Sequence, residues 1–214
     1  IMEHIEEAGV HSGDSACILP TYSLSKEMIK KITEQTVGVA LALQVKGLIN
    51  IQFAIKGDDL YFLEVNPRGS RTVPFVCKAT GVPLVKIATK IITGKTLKDL
   101  NVKMPVLNYY SVKEAVLPFN KFPQEDIILG PEMKSTGEVM GIDKELSIAY
   151  AKSQISAGAI LPQSGGVLVT VNDNTKDKIA DSVKKLTELG FAVYATEGTH
   201  KYLVEKKIKS TMIH

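Results

Sequence analysis

Residues 47–71, GLINIQFAIKGDDLYFLEVNPRGSR, decide how the rest of the chain is read. From Leu48 to Lys56, Ile49, Ile51, Phe53 and Ile55 alternate with Asn50, Gln52 and Ala54. From Leu60 to Asn66, Tyr61, Leu63 and Val65 alternate with Phe62, Glu64 and Asn66. Period-two alternation is the strand signal, and Gly57-Asp58-Asp59 between the two runs has turn chemistry. The stretch therefore predicts a β-hairpin with an Asn-Pro-Arg exit.

Register turns the hairpin into a candidate site. A three-residue loop over Gly57–Asp59 sets Lys56 against Leu60, Gln52 against Glu64 and Asn50 against Asn66. Opposed residues share a sheet face, so Gln52, Glu64 and Asn66 form one oxygen-rich cluster. A slip of one residue would send Gln52 and Glu64 to opposite faces. Carboxylate and carbonyl oxygens suit a hard cation such as Mg²⁺, which takes few protein ligands and leaves the rest to phosphate and water. Arg68 and Arg71 follow at once, and guanidinium groups pair well with phosphate. The competing reading of the same residues is a solvated polar sheet face.

Length and composition set the frame. The 214 residues are enough for one large domain or two small ones, and 23% charged with 44% hydrophobic residues is ordinary for a globular protein. A net charge of +3 with interspersed signs argues against a nucleic-acid partner. Cys17 and Cys77 lie far apart in apolar segments, which predicts reduced core thiols in a cytoplasmic protein. No apolar run reaches the length of a membrane span, and the first residues lack the basic start and apolar core of a signal peptide. The chain starts on Ile1, which suggests an excised segment.

Along the chain, Gly9-Val10-His11-Ser12-Gly13 reads equally well as a loop presenting backbone to a ligand or as a plain connection. Ala16–Leu19 reads as a short strand and Ser25 as the cap of a long helix. After Arg71 come two short helices, the second entered at Pro83, expected to pack on the apolar back of the hairpin. Tyr109–Leu117, holding Glu114 among apolar neighbours, reads as a strand. Residues 119–133 read as an ordered loop, and Asp143 as the cap of a helix running to about Ser156.

The run Gly158–Gly166 is the best linker, dividing the chain into 1–156 and 157–214. Beyond it strands at 167–171, 191–195 and 210–213 alternate with helices at 175–189 and 199–206, the pattern of a small doubly wound parallel sheet. Ligands bind such sheets at the carboxyl ends of strands. There, Thr196-Glu-Gly-Thr199 opens a helix and Lys176 sits on the neighbouring loop, a combination suited to phosphate. Capping by Thr199 beside an exposed Lys176 explains the same residues.

IMEHIEEAGVHSGDSACILP, FLEVNPRGSRTVPFVCKATGVPL, YYSVKEAVLPFNKF and LGPEMKSTGEVMG together resemble the large chain of carbamoyl-phosphate synthase. The resemblance is to its second synthetase half, continuing into the C-terminal regulatory domain, and covers essentially the whole chain. It implies an α/β protein: an ATP-grasp C-terminal lobe with an antiparallel sheet, then a methylglyoxal-synthase-like domain. It implies an ATP-dependent ligase that phosphorylates carbamate to carbamoyl phosphate, for arginine and pyrimidine biosynthesis. Gln52, Glu64 and Asn66 match its Mg²⁺ or Mn²⁺ positions. Gly9, Val10, His11 and Ser12, with Gln52 and Glu64, match its nucleotide contacts, and Arg68 matches an arginine that steadies the transferred phosphoryl group.

Three further correspondences follow from the same resemblance. His4, Glu6, Val10 and Ser15 fall where the family holds K⁺. Glu6, Asp14 and Glu114 match a site for the activator ornithine, and Lys176, Thr196 and Thr199 match contacts to a UMP- or IMP-like effector. The implied partners are the glutaminase small chain, the rest of the large chain and a second copy of the protein. The chain departs from the pattern in lacking the lobe that would close over the nucleotide and the last strands of the regulatory domain. That predicts an inactive fragment. A non-catalytic regulatory module is the rival reading, whereas a free-standing methylglyoxal synthase leaves most of the chain unexplained.

Overall fold

The computed structural model describes residues 1–213, and they divide into two compact units, 1–159 and 160–213. The fold is mixed α/β. Unit 1 is built on a four-stranded antiparallel sheet in the order β1 (Glu3–His4), β2 (Cys17–Leu19), β5 (Tyr110–Val116), β6 (Gly137–Asp143). The hairpin, β3 (Asn50–Lys56) and β4 (Asp59–Asn66), forms a separate two-stranded sheet. Between β2 and the hairpin runs α1 (Lys26–Ala42), capped by the Ser25 hydroxyl, which accepts from Met28 N–H at 3.1 Å. After the hairpin come α2 (Val73–Thr80), α3 (Leu84–Ile92) and the single turn α4 (Leu97–Leu100). α5 (Leu146–Ser156) closes the unit.

Both faces of the four-stranded sheet are covered. α2 buries Phe75 and Ala79 against Leu19, with Met140 beside them, while α5 buries Ala149 against Ile18 and Val112. Burying a large apolar side chain contributes about 1.5–3 kcal/mol, so this sheet rather than the hairpin holds the core. The expectation that both post-hairpin helices lie on the hairpin's back is corrected for α2, which packs on the larger sheet. α3 keeps a link to the hairpin, since Ile92 and Ala88 lie against Gly47 at its foot. β6 was not foreseen. Gly141 at its centre explains its plain sequence: a Cβ there would overlap the Ala149 carbonyl oxygen, so only glycine lets α5 come this close.

The hairpin reaches the expected register by an unexpected route. Lys56 pairs with Asp59, so the turn has two residues, Gly57 and Asp58, with Gly57 at φ 61°. That turn alone would set Gln52 against Leu63 and turn Glu64 away. A β-bulge opposite Gln52 and Phe53 adds Leu63 as an extra residue, and Gln52 pairs with Glu64 and Asn50 with Asn66 after all. The bulge also corrects one assignment. Phe62 leaves the Glu64 face and pairs with Phe53, their ring centroids 4.7 Å apart.

Unit 2 is a parallel sheet in the order β7 (Gly166–Val169), β8 (Ala192–Thr196), β9 (Thr211–Ile213). α6 (Asp173–Glu188) and α7 (Glu197–Glu205) connect the strands and share one core, in which Val183 and Leu203 meet Val169, Val193 and Ala195. The described strands step in one direction, and right-handed crossovers then place both helices on one face. This is one half of a doubly wound arrangement.

Candidate functional site

β3 and β4 bring Gln52, Glu64 and Asn66 onto one face, and Asn66 Nδ2 donates to Glu64 Oε1 at 2.6 Å. The set offers one carboxylate and two amide oxygens. Among the described residues no group of three or more His, Cys, Asp or Glu is placed to hold a metal. The donor chemistry therefore fits a hard divalent cation shared with phosphate oxygens, not one held by protein alone.

The loop at residues 9–13 meets this face. Gln52 Nε2 donates to Ser12 Oγ at 2.9 Å, joining residues forty positions apart. His11 N–H donates to Gly130 O at 2.8 Å, and Gly13 N–H donates to His11 Nδ1 at 3.0 Å. Val10 lies at an isolated bridge with Ala8, and Gly9 takes φ 114° with open space around it. Arg68 is exposed just past the hairpin, its guanidinium donating to Gly69 O at 3.0 Å.

The loop is pinned from below. Asp14, 1% exposed, accepts from Lys134 N–H at 2.7 Å and from Ser135 N–H at 2.9 Å. Burial pushes its carboxyl up, but the hydrogen bonds from Ser135 and Lys134 and the nearby His11 outweigh this, so the net direction is down. This occupation assigns Asp14 a clasping role first; a ligand would have to compete with two backbone N–H groups. The Ser135 hydroxyl donates to Gly13 O at 3.1 Å and accepts from Arg71 Nη1 at 3.3 Å. Arg71 thus leaves Arg68 and lines a cavity of about 350 Å³ with Pro74, Phe75, Lys78, Glu138, Val139 and Met140.

Of the residues matched to K⁺ and ornithine, Glu6 is tied to the backbone just after Ser15, its Oε2 accepting from Ala16 N–H at 2.7 Å. Ser15 is buried and donates to His11 O at 3.3 Å, whereas His4 on β1 is exposed. Glu114 faces α5, where Gln154 Nε2 donates to it. Burial pushes its carboxyl up and the Glu6 charge adds to this, against the pull of the Ala115 N–H and Lys113. Burial likewise pushes the Cys17 thiol up to about 12, leaving it protonated and inert.

In unit 2, Lys176 reaches the turn that opens α7: a Cβ on Gly198 would lie 3.3 Å from its Nζ. The side chain is 13% exposed and paired with Asp173, so it is not a free surface lysine. Thr196 is the N-cap residue of α7, its hydroxyl donating to Thr170 Oγ1 at 3.2 Å. The buried Thr199 hydroxyl bonds the Val171 backbone instead of capping the helix. Reasoning from sequence missed Lys113, Ser135, Lys78 and Glu138. For Lys113 a signal existed, namely a lysine in mid-strand between Val112 and Glu114 on a run otherwise read as core.

Comparison with known proteins decides the family. The family described as "Carbamoyl-phosphate synthase L chain, ATP binding domain" matches residues 2–100, and "MGS-like domain" matches residues 178–214. The C-terminal section of the carbamoyl phosphate synthase large chain of Aquifex aeolicus is 50% identical over 233 residues, covering 100% of this chain and 43% of that protein. The large chains of Rhodopirellula baltica and Archaeoglobus fulgidus are each 54% identical, covering 100% of this chain and 20% of theirs. The chain belongs to the carbamoyl phosphate synthase large-chain family. It corresponds to the C-terminal portion of those large chains and spans less than half the length of these relatives. Among solved structures, the biotin carboxylase domain of a thermophilic 2-oxoglutarate carboxylase bound to bicarbonate is similar at a TM-score of 0.40, with 21% identity over 50% of this chain and 28% of that one. That likeness is too loose to bear on the site. Among the described residues no helix is long and apolar enough to cross a membrane.

Proposed function

We propose that unit 1 supplies one wall of an ATP site that phosphorylates carbamate to carbamoyl phosphate, within a carbamoyl phosphate synthase that serves arginine and pyrimidine biosynthesis. The observation that supports this best is the shared face of Gln52, Glu64 and Asn66, met by Ser12 of the 9–13 loop through Gln52. Mg²⁺ or Mn²⁺ bound there would neutralise charge on the ATP phosphates. Gln52, Glu64 and Asn66 would hold it, and Gly9, Val10, His11 and Ser12 would contact the nucleotide. Arg68, exposed beside them, swings its guanidinium off Gly69 O to meet the oxygens of the transferred phosphoryl group. Phosphoryl transfer depends on positioning and charge neutralisation, which these residues provide without forming a covalent bond to substrate.

Further roles belong to the same reading. Glu6, with His4, Val10 and Ser15, would hold K⁺; Glu6 and Glu114, with Asp14 once its clasp opens, would bind the amino group of ornithine. Lys176, Thr196 and Thr199, in the first turn of α7, would contact the phosphate of a UMP- or IMP-like effector. The partners would be a glutaminase small chain, the rest of the large chain and a second copy, in the cytoplasm. The 214 residues alone would be inactive, because a nucleotide lying on the hairpin needs a second wall.

Glu64→Gln in the intact synthase tests the assignment: carbamoyl phosphate synthesis should be lost. Near-normal turnover of carbamate and ATP would refute it. A regulatory module without catalysis is the second reading, supported by Lys176 over the start of α7. Titration separates the two. Effector binding with no Mg²⁺-dependent ATP binding, even with the second lobe supplied, selects the module.

A further inference from the structure

Lys113 is 0% exposed, in the middle of β5 between Cys17 on β2 and Met140 on β6. A buried cation costs several kcal/mol unless its charge is met. The carboxylate within reach, Glu138 Oε1, stands 3.8 Å away, at the edge of an ion pair. Within hydrogen-bond range the ammonium has two main-chain carbonyls, Ser12 O at 3.2 Å and Gly13 O at 3.5 Å. An apolar side chain would fill this position more cheaply. What the lysine adds is a grip on the loop above it.

That grip continues through two peptide units. In a trans peptide the N–H points opposite to the C=O, so pulling the Ser12 and Gly13 carbonyls inward aims the Gly13 and Asp14 N–H groups back along the loop. Both end on His11: Gly13 N–H donates to Nδ1 at 3.0 Å and Asp14 N–H to the carbonyl at 2.9 Å. A cation on the carbonyl end strengthens the N–H as a donor. With Nδ1 accepting, neutral His11 carries its proton on Nε2. Ser12, on the same peptide, presents its hydroxyl to Gln52.

We propose that Lys113 is a positioning residue. Its buried ammonium locks the 9–13 loop so that His11 is held as the Nε2–H tautomer and Ser12 meets Gln52, shaping the nucleotide-binding surface from beneath. The hold on the loop rests on the hydrogen bonds above. Its consequence for ATP rests on the reading of this loop as a nucleotide contact.

The first readout needs no nucleotide. Nitrogen-15 NMR of the 214-residue chain should report one His11 tautomer, and Lys113→Met should give a mixture, with partial return in Lys113→Arg. An unchanged His11 signal in Lys113→Met overturns the proposal. The second readout is kinetic, in the intact synthase: Lys113→Met should raise the KM for ATP about tenfold while changing kcat far less. If Gln52→Ala weakens ATP and Lys113→Met does not, the ATP consequence is overturned. If neither affects ATP while the tautomer shifts, the nucleotide reading fails and the hold on the loop stands. Should Lys113→Met not fold, Lys113→Met with Glu138→Gln removes the carboxylate left without its partner and replaces it in both readouts. Failure of that variant to fold would make Lys113 a folding residue and overturn its positioning role.

Discussion

The hairpin and the four-stranded sheet are both antiparallel, but they dispose of their polar side chains in opposite ways. On the hairpin Glu64 is exposed, and among the described residues its one side-chain hydrogen-bond partner is Asn66, a neighbour on the same strand. In the larger sheet Lys113 and the adjoining Asp14 and Ser15 are wholly buried, each bonded to backbone. A polar group left facing solvent is free to take a ligand and contributes little to folding. One already satisfied by backbone is costly to alter and has little capacity to spare. Arg68 and Arg71 are both exposed, but Arg68 holds only its neighbour Gly69 whereas Arg71 is tied to the distant Ser135.

Four substitutions test this division, ordered by expected loss of stability. Gly141→Ala strikes the α5–β6 contact, where the obstacle is backbone that cannot move aside. Urea denaturation should show unit 1 destabilised by about 3 kcal/mol or more. Asp14→Asn removes one of two acceptors and turns an amide toward a main-chain N–H, which should cost about 2 kcal/mol. Because the folded pKa of Asp14 lies below its ordinary value, its contribution is present above the carboxylate range and is lost as pH falls through it. Stability curves from about pH 5 downward should therefore be flatter in the variant than in the parent.

Gly57→Ala meets open space but must hold φ near 61°, so about 1 kcal/mol of strain is expected, read as a small drop in the thermal midpoint. Glu64→Gln should change stability by less than about 0.5 kcal/mol while removing activity from the intact synthase. A stability loss in Glu64→Gln equal to that of Asp14→Asn would end the contrast between the two regions. So would a harmless Gly141→Ala.

Much of this organisation was legible in the residues. Alternation in 48–56 and 60–66 marked the strands, Ser25 marked the start of α1, and Pro83 and Gly94 bracketed α3. The pairing of Gln52 with Glu64 was reached by counting through a three-residue loop, yet the chain achieves it with a shorter turn and the extra Leu63. Turn length and bulge compensate each other, and local composition does not distinguish the two solutions. Phe62 was misassigned for that reason. Lys113 stood out locally only as a lysine in mid-strand; its burial comes from pairing with β2, more than ninety residues away in sequence, and with β6, which had not been foreseen.

By itself, then, the sequence determined the α/β class, the hairpin and, through its long motifs, the family. These follow from side-chain period, turn chemistry and residue identity, all short-range properties of the chain. Tertiary structure alone decided that the hairpin stands apart from the main sheet, that Asp14 is clasped by Lys134 and Ser135, and that Lys113 reaches under the loop carrying His11 and Ser12. Those outcomes depend on which distant groups can satisfy a buried charge, and that is settled only when the strands pack.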